Sequence, residues 1–186
     1  MATIVAVGHL GATFSAKLRN FVKDSDIDHT LIDSQSIVFY RPNGTNFKKS
    51  ANLEVDPINP SQVIALSNIV GDGIEDVITV TVPATNKLKN GELITISSTT
   101  NFNVSKVPLT IVDATTFTYK LGAVGNVSSE ATGNVTTQGE KLIVYQNITA
   151  EGSILDVLGK WQFAAEVVLT NGNILTTRDR VIFWVQ

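Results

Sequence analysis

The chain contains no cysteine, which excludes disulfides, thiolate metal sites and cysteine nucleophiles together. Histidine is nearly as scarce. His9 and His29 stand apart, match no metal-ligand spacing and belong to no acid–base motif. Charged residues make up 17% of the chain, against about 25% in an ordinary globular domain. Thr, Ser, Asn and Gly must therefore cover much of the surface. A formal net charge of -3 and a pI near 5.3 supply no basic field for a phosphate backbone, so no nucleic-acid partner is expected. No apolar run approaches the roughly 20 residues of a membrane helix, so no membrane partner is expected either. The opening MATIVAVGHLGATFSAKL has no Lys or Arg before its apolar residues and is not read as a signal peptide.

Catalytic signatures are missing as well. There is no P-loop, and no G-x-G-x-x-G opens a helix after a strand. A Ser-His-Asp triad is assembled in space rather than in sequence, but no G-x-S-x-G elbow supports one. The run Asp24-Ser25-Asp26-Ile27-Asp28 resembles the first half of a calcium loop. His29 and Gln35, however, stand where that loop needs Gly and Glu. Asp72, Glu75 and Asp76 form a weaker acidic cluster. Both read as polar turns whose carboxylates cap backbone N–H groups. No catalytic residue, cofactor or metal ligand is singled out, and the chain is read as non-enzymatic. Asn-x-Ser/Thr sequons at Asn43, Asn103, Asn126, Asn134 and Asn147 are ordinary products of Asn- and Thr-rich turns.

What is present is alternation. Over 107–121, Leu109 and Ile111 alternate with Thr110 and Val112. After Asp113-Ala114-Thr115, Phe117, Tyr119 and Leu121 alternate with Thr116, Thr118 and Lys120. This predicts a β-hairpin with one apolar face. The same period predicts strands at 13–19, 76–82, 93–97 and 141–146. Residues 36–40, apolar on both faces, read as a central strand, 47–55 as its return strand, 63–70 as a short apolar run and 131–137 as a last short strand. A polar loop is expected over 22–34 and a turn at Pro42-Asn43-Gly44. One or two helical turns are expected over 153–158, capped by Ser153 and ended by Gly159. Trp161, Phe163, Ala165, Val167 and Leu169 share one face of a long strand. Asn171-Gly172 suggests a type I′ turn, and 174–185 reads as the return strand.

Two long strands cannot stand alone, and their best partners lie before Pro57. The predicted fold class is therefore all-β: an immunoglobulin-like β sandwich built from 1–61 and 139–186, with a small β barrel or sandwich, 62–138, inserted in one of its loops. A tandem arrangement is the alternative, but it asks about a third of the chain to form its own core.

Candidate contact residues follow from exposure on these strands. Arg178, Asp179 and Arg180 suit a carboxylate or phosphate group. The plainer reading pairs them across strands with Glu166. Trp161 belongs to the apolar face and is expected in the core. Trp184 shares a face with Arg180 and suits a protein contact. Residues 1–11 read as an arm that orders on a partner, with Ile4, Val5 and Val7 as its contact residues.

Two resemblances join these elements. GATFSAKLRN, SIVFYRPNGT and LGKWQFAAEVVLTNGNILTTRDRVIFWV resemble the β-sandwich domain of phage baseplate upper proteins, whose pattern is carried here by Arg41-Pro42-Asn43-Gly44-Thr45 and Gly159-Lys160-Trp161. LKNGELITIS, VDATTFTYKL and ATGNVT resemble small β modules common in phage tail and other virion proteins. The resemblance implies a non-enzymatic structural component of a bacteriophage particle, in tail, baseplate, neck or capsid surface. Its partners would be other virion proteins and copies of itself in a symmetric assembly. The alternative is a carbohydrate-binding module, free or virion-attached, which would need an exposed aromatic platform.

Overall fold

The computed structural model describes residues 11–18, 26–73, 76–83, 88–122, 129–147, 154–177 and 179–186, and the backbone of 3–5. Among these residues the alternation resolves into eighteen strands. They are β1 (Thr3–Val5), β2 (Thr13–Lys17), β3 (Ile32–Tyr40), β4 (Asn46–Ser50), β5 (Asn52–Val55), β6 (Val63–Ala65), β7 (Asn68–Gly71), β8 (Val77–Thr81) and β9 (Leu93–Ser97). They continue as β10 (Val104–Pro108), β11 (Thr110–Ile111), β12 (Thr116–Lys120), β13 (Ser129–Glu130), β14 (Asn134–Thr137), β15 (Lys141–Gln146), β16 (Gly159–Leu169), β17 (Ile174–Thr176) and β18 (Val181–Val185). Beside them lies a 3-10 turn, His29–Leu31. The chain is all-β.

It divides into two compact units. One takes Met1–Phe21, His29–Asp56 and Lys141–Gln186; the other takes Val22–Asp28 and Pro57–Glu140. The junctions fall at 56/57 and 140/141, where the sequence suggests 61/62 and 138/139. Val55 and Lys141, on either side of the second unit, are cross-strand partners in one sheet. An insertion needs such adjacent ends, because the host strands then keep their pairing. Residues 26–28, expected in a polar loop of the host, belong instead to the second unit. Ile27 is buried there, Gln138 Nε2 donates to its carbonyl, and the Asp26 N–H donates to the Gly91 carbonyl.

The first unit is a sandwich of two sheets. The larger has the order β1-β18-β16-β3-β4, with β17 also on β16; the smaller is β2-β15-β5. Phe14 of β2 fixes their packing. Its ring centroid lies 4.9 Å from Phe39, 5.4 Å from Phe163 and 5.3 Å from Phe183. The first two pairs are edge-to-face and the third is tilted; aromatic pairs of this kind contribute about 0.5–1.5 kcal/mol each beyond the area they bury.

Several expected elements are redrawn. β3 starts at Ile32, inside the expected loop, because it pairs with β16 as far as Leu169; its polar Asp33 and Ser34 are simply exposed. The single strand expected over 47–55 is two strands in different sheets. Between them the Ala51 N–H donates to the Gln35 carbonyl, and Gln35 Nε2 donates to the Ala51 carbonyl, which turns the chain from one sheet to the other. The return strand over 174–185 is likewise split. The Thr177 N–H donates to the Ala165 carbonyl, and Thr177 Oγ1 accepts from the Ala165 N–H. The described part of the expected helix, 154–158, is not helical; Ile154 and Leu155 enter the core as an irregular segment.

The hairpin turn at 170–172 is not type I′, because Asn171 does not take a positive φ. The Gly172 N–H donates to the Leu169 carbonyl, the Leu169 N–H donates to the Asn173 carbonyl, and Gly172 sits at φ 82°. That is a three-residue loop with glycine in the left-handed position. The turn at 42–44 repeats it between Arg41 and Thr45, with Gly44 at φ 85°.

The second unit packs the sheet β10-β9-β14-β6 against β11-β12-β8-β7-β13. Ile69, Val80, Phe102, Phe117 and Val135 are fully buried between them. The expected hairpin over 107–121 is divided at Leu109. β10 pairs with β9 in one sheet, while β11 pairs with β12 in the other. Leu109, 1% exposed, makes this crossing, and β6 to β7 makes another. Asp113 closes the tight turn, its Oδ1 accepting from the Thr115 N–H at 2.8 Å.

Two side chains staple the loop after β9. Tyr119 Oη donates to the Phe102 carbonyl at 2.8 Å. The Glu130 carboxylate accepts from the N–H groups of Thr100 and Asn101 and from Asn101 Nδ2. The Thr100 backbone N–H is the main cause that holds the Glu130 carboxyl below its ordinary value of 4.5, with Asn101 adding to it.

Tyr119→Phe is expected to lower unfolding stability by about 1 kcal/mol, and Phe117→Ala by about 3–5 kcal/mol, in denaturant titrations. Because the folded pKa of Glu130 is depressed, its contribution is complete above pH 4.5 and falls away as pH drops through the lower folded value. Glu130→Gln is expected to flatten that acid limb in thermal melts recorded against pH.

Candidate functional site

The site is built around one corner of the first unit, where the 41–45 turn meets the start of β16. The Arg41 guanidinium donates from Nε to Asp156 Oδ1 at 3.2 Å and from Nη2 to Oδ2 at 3.1 Å. This bidentate pairing fixes its plane. Its Cζ lies 4.5 Å from the Phe47 ring centroid and 5.8 Å from that of Trp161. Trp161 is fully buried, as its apolar face predicts, and its Nε1 donates to the Val157 carbonyl at 2.7 Å. The turn also sits directly on Gly159. A Cβ there would lie 3.0 Å from Pro42 Cγ, and the glycine holds φ 128°. Any side chain at 159 would therefore be both strained and crowded.

The period-two geometry of β16 turns Lys160 and Gln162 to the opposite face from Trp161 and Phe163. Lys160 is paired across the sheet with Trp184, and Gln162 with Ile182 on one side and Tyr40 on the other. Arg180 lies over Tyr40, its Cζ 3.7 Å from the ring centroid, and its Nη1 approaches Gln162 Oε1 at 3.4 Å. Tyr40, Arg41, Pro42, Gly44, Lys160, Gln162 and Arg180 line a cleft of about 330 Å³. Ile182 and Trp184 stand beside it, 43% and 40% exposed. Among the described residues Asp156 neutralises Arg41, whereas Lys160 and Arg180 form no ion pair.

Of the residues singled out in the sequence, Arg180 and Trp184 are thus brought onto one outer face. Glu166, expected to pair with Arg180, pairs instead with Lys48 of β4. Arg178 and Val7 lie outside the described residues. The backbone of Ile4 and Val5 pairs in parallel with Trp184 and Val185. The arm expected to order on a partner therefore contains a strand seated on its own unit. Tyr40, Lys160 and Gln162 were not expected in the site. The alternation of β16 signals the outward position of Lys160 and Gln162, but nothing local signals that Arg180 reaches Tyr40 across β16.

Other candidates have structural roles. Asp28 pairs with Lys106, and Asp26 Oδ2 accepts from the Leu93 N–H; Asp24 lies outside the described residues. Asn147 is fully buried. Asn43 and Asn103 use their side chains to close local turns. A second groove, about 530 Å³, in the other unit is lined by Val77, Pro108, Leu109, Thr118 and neighbours. Its Asn90 is committed to the Ile111 N–H.

Comparison with family models, curated proteins and solved structures finds no match to this chain.

Trp161→Ala is expected to cost about 3–5 kcal/mol of stability, and Trp184→Ala within about 0.5 kcal/mol, by chemical denaturation. Gly159→Val is expected to destabilise by roughly 1–3 kcal/mol.

Proposed function

We propose that the chain is a non-enzymatic structural component of a bacteriophage particle, working through protein–protein contacts on the outer face of its six-stranded sheet. The observation that carries this reading is the corner itself. The two phrases that resemble the phage baseplate upper proteins, Arg41-Pro42-Asn43-Gly44-Thr45 and Gly159-Lys160-Trp161, lie more than a hundred residues apart in the chain, yet pack against each other. Pro42 covers Gly159, and Arg41 stacks towards Trp161. In this reading the first unit is the immunoglobulin-like sandwich and the second is the inserted module. The outer face beside the corner supplies a contact surface of the usual composition, with an exposed Trp, an Arg and aliphatic neighbours.

The carbohydrate-binding alternative draws less support. Sugar stacking needs an open aromatic face, but Trp161 is buried and Arg180 occupies the face of Tyr40. Trp184 alone does not make a platform.

Mass spectrometry of particles purified from the producing culture is expected to find the chain at a fixed ratio to the major virion proteins. Its absence from particles would overturn the proposal. Trp184→Ser is expected to leave the isolated protein folded and to lower incorporation.

A further inference from the structure

The cleft at the 41–45 corner has an uneven charge balance. Arg41 is cancelled by Asp156 and held under the turn. Arg180 is different. Its guanidinium face lies on Tyr40 and one N–H approaches Gln162, so its plane is held while other N–H groups of the fork stay available. A cation placed on an aromatic ring is oriented at little cost in further entropy. Lys160 lies two residues from Gln162 along the same face, roughly 7 Å away by strand geometry. Neither Lys160 nor Arg180 forms an ion pair with a described carboxylate. Asp179, next in the chain to Arg180, does not pair with it, and Glu166 is held by Lys48.

We infer that this cleft is a carboxylate-binding site, and that its ligand is an acidic side chain on an extended segment of a partner protein. The inference rests on reading the outer face as the interaction surface and names the partner's chemistry. Three observations favour it. A planar, oriented guanidinium matches a carboxylate through two parallel N–H···O bonds, and Lys160 supplies a second positive charge beside it. The cleft, about 330 Å³, lies at the small end of ligand sites and suits one side chain rather than a cofactor. Ile182 and Trp184 lie next to the cationic pair and match apolar residues flanking the acid. An overall charge of -3 disfavours a polyanion such as nucleic acid, whose other phosphates would meet a net repulsive surface.

The test uses the full chain labelled for NMR, including the Arg side-chain Nε–H resonances. The probes are a capped peptide with a single glutamate between leucines, its glutamine analogue, glucuronate, and inorganic phosphate. The glutamate peptide is expected to shift Arg180, Lys160 and Gln162 saturably, at least about tenfold more tightly than the glutamine analogue. Binding is expected to weaken as salt rises. Arg180→Lys keeps the charge but loses the fork, and is expected to lose most of the affinity while its backbone spectrum stays folded. Equal binding of the glutamine analogue, tighter binding of phosphate or glucuronate, or no shift at these residues would each overturn the inference. Particle incorporation separates it from the broader reading. If Trp184→Ser fails to incorporate although no acidic peptide binds, the face stands as an interface and the carboxylate assignment falls.

Discussion

The alternation of β16 is the constraint on which the first unit depends. Its eleven residues pair with β3 along one edge and with β17 and β18 along the other. Trp161, Phe163, Ala165 and Val167 therefore face the smaller sheet and are buried. Lys160, Gln162 and Glu166 face outward for the same reason. A slip of one residue would exchange the two sets and bury a lysine where a tryptophan now sits. Core and outer face are two readings of one register. The Gly159–Pro42 contact and the Arg41–Asp156 pair, at the start of the strand, hold that register against the adjoining turn.

The second unit solves a different problem. Its strands are short, so each sheet alone buries little. The chain compensates by crossing between sheets, at 66–67 and at Leu109, so that neighbouring residues in sequence serve opposite layers of one core. Polar side chains then close the crossings and loops. Glu130 and Tyr119 tie the loop after β9, and Asp113 closes the tight turn. This economy agrees with a composition low in charge and rich in Thr and Asn, whose short side chains bond the backbone locally. The pairing of Val55 with Lys141 explains how such a unit is accommodated, since its ends leave and re-enter the host at adjacent strands.

Much of this was legible in the sequence, and the failures have common causes. Periodicity located nearly every strand and placed Trp161, Phe117 and Tyr119 in cores, because burial on one face leaves a direct trace. It did not show where a strand changes sheets. At Ala51, Leu66 and Leu109 the hydrogen-bond partner changes without a break in the local pattern, so 47–55 and the first arm of 107–121 each looked like one strand and 63–70 like one apolar run. Polar residues hid the start of β3, which is set by its partner β16 rather than by its own side chains. Ile154, Leu155 and Val157 mimicked a helical turn, but Ile154 and Leu155 fill the core without one and Val157 stays exposed. In the candidate site, Arg180 and Trp184 were readable as outward residues. The Tyr40 partner was not, because it lies in a strand about 140 residues away and cross-sheet register is a property of the fold.

The surface defined by Tyr40, Lys160, Arg180, Ile182 and Trp184 gives the proposed role a location, and that location is open to direct observation. A reconstruction of the assembled particle at side-chain resolution tests it most directly. The predicted result is a neighbouring protein lying across Ile182 and Trp184, with an acidic side chain against Arg180. A particle in which that face of the six-stranded sheet is bathed in solvent, while the chain is held by other surfaces, would contradict it.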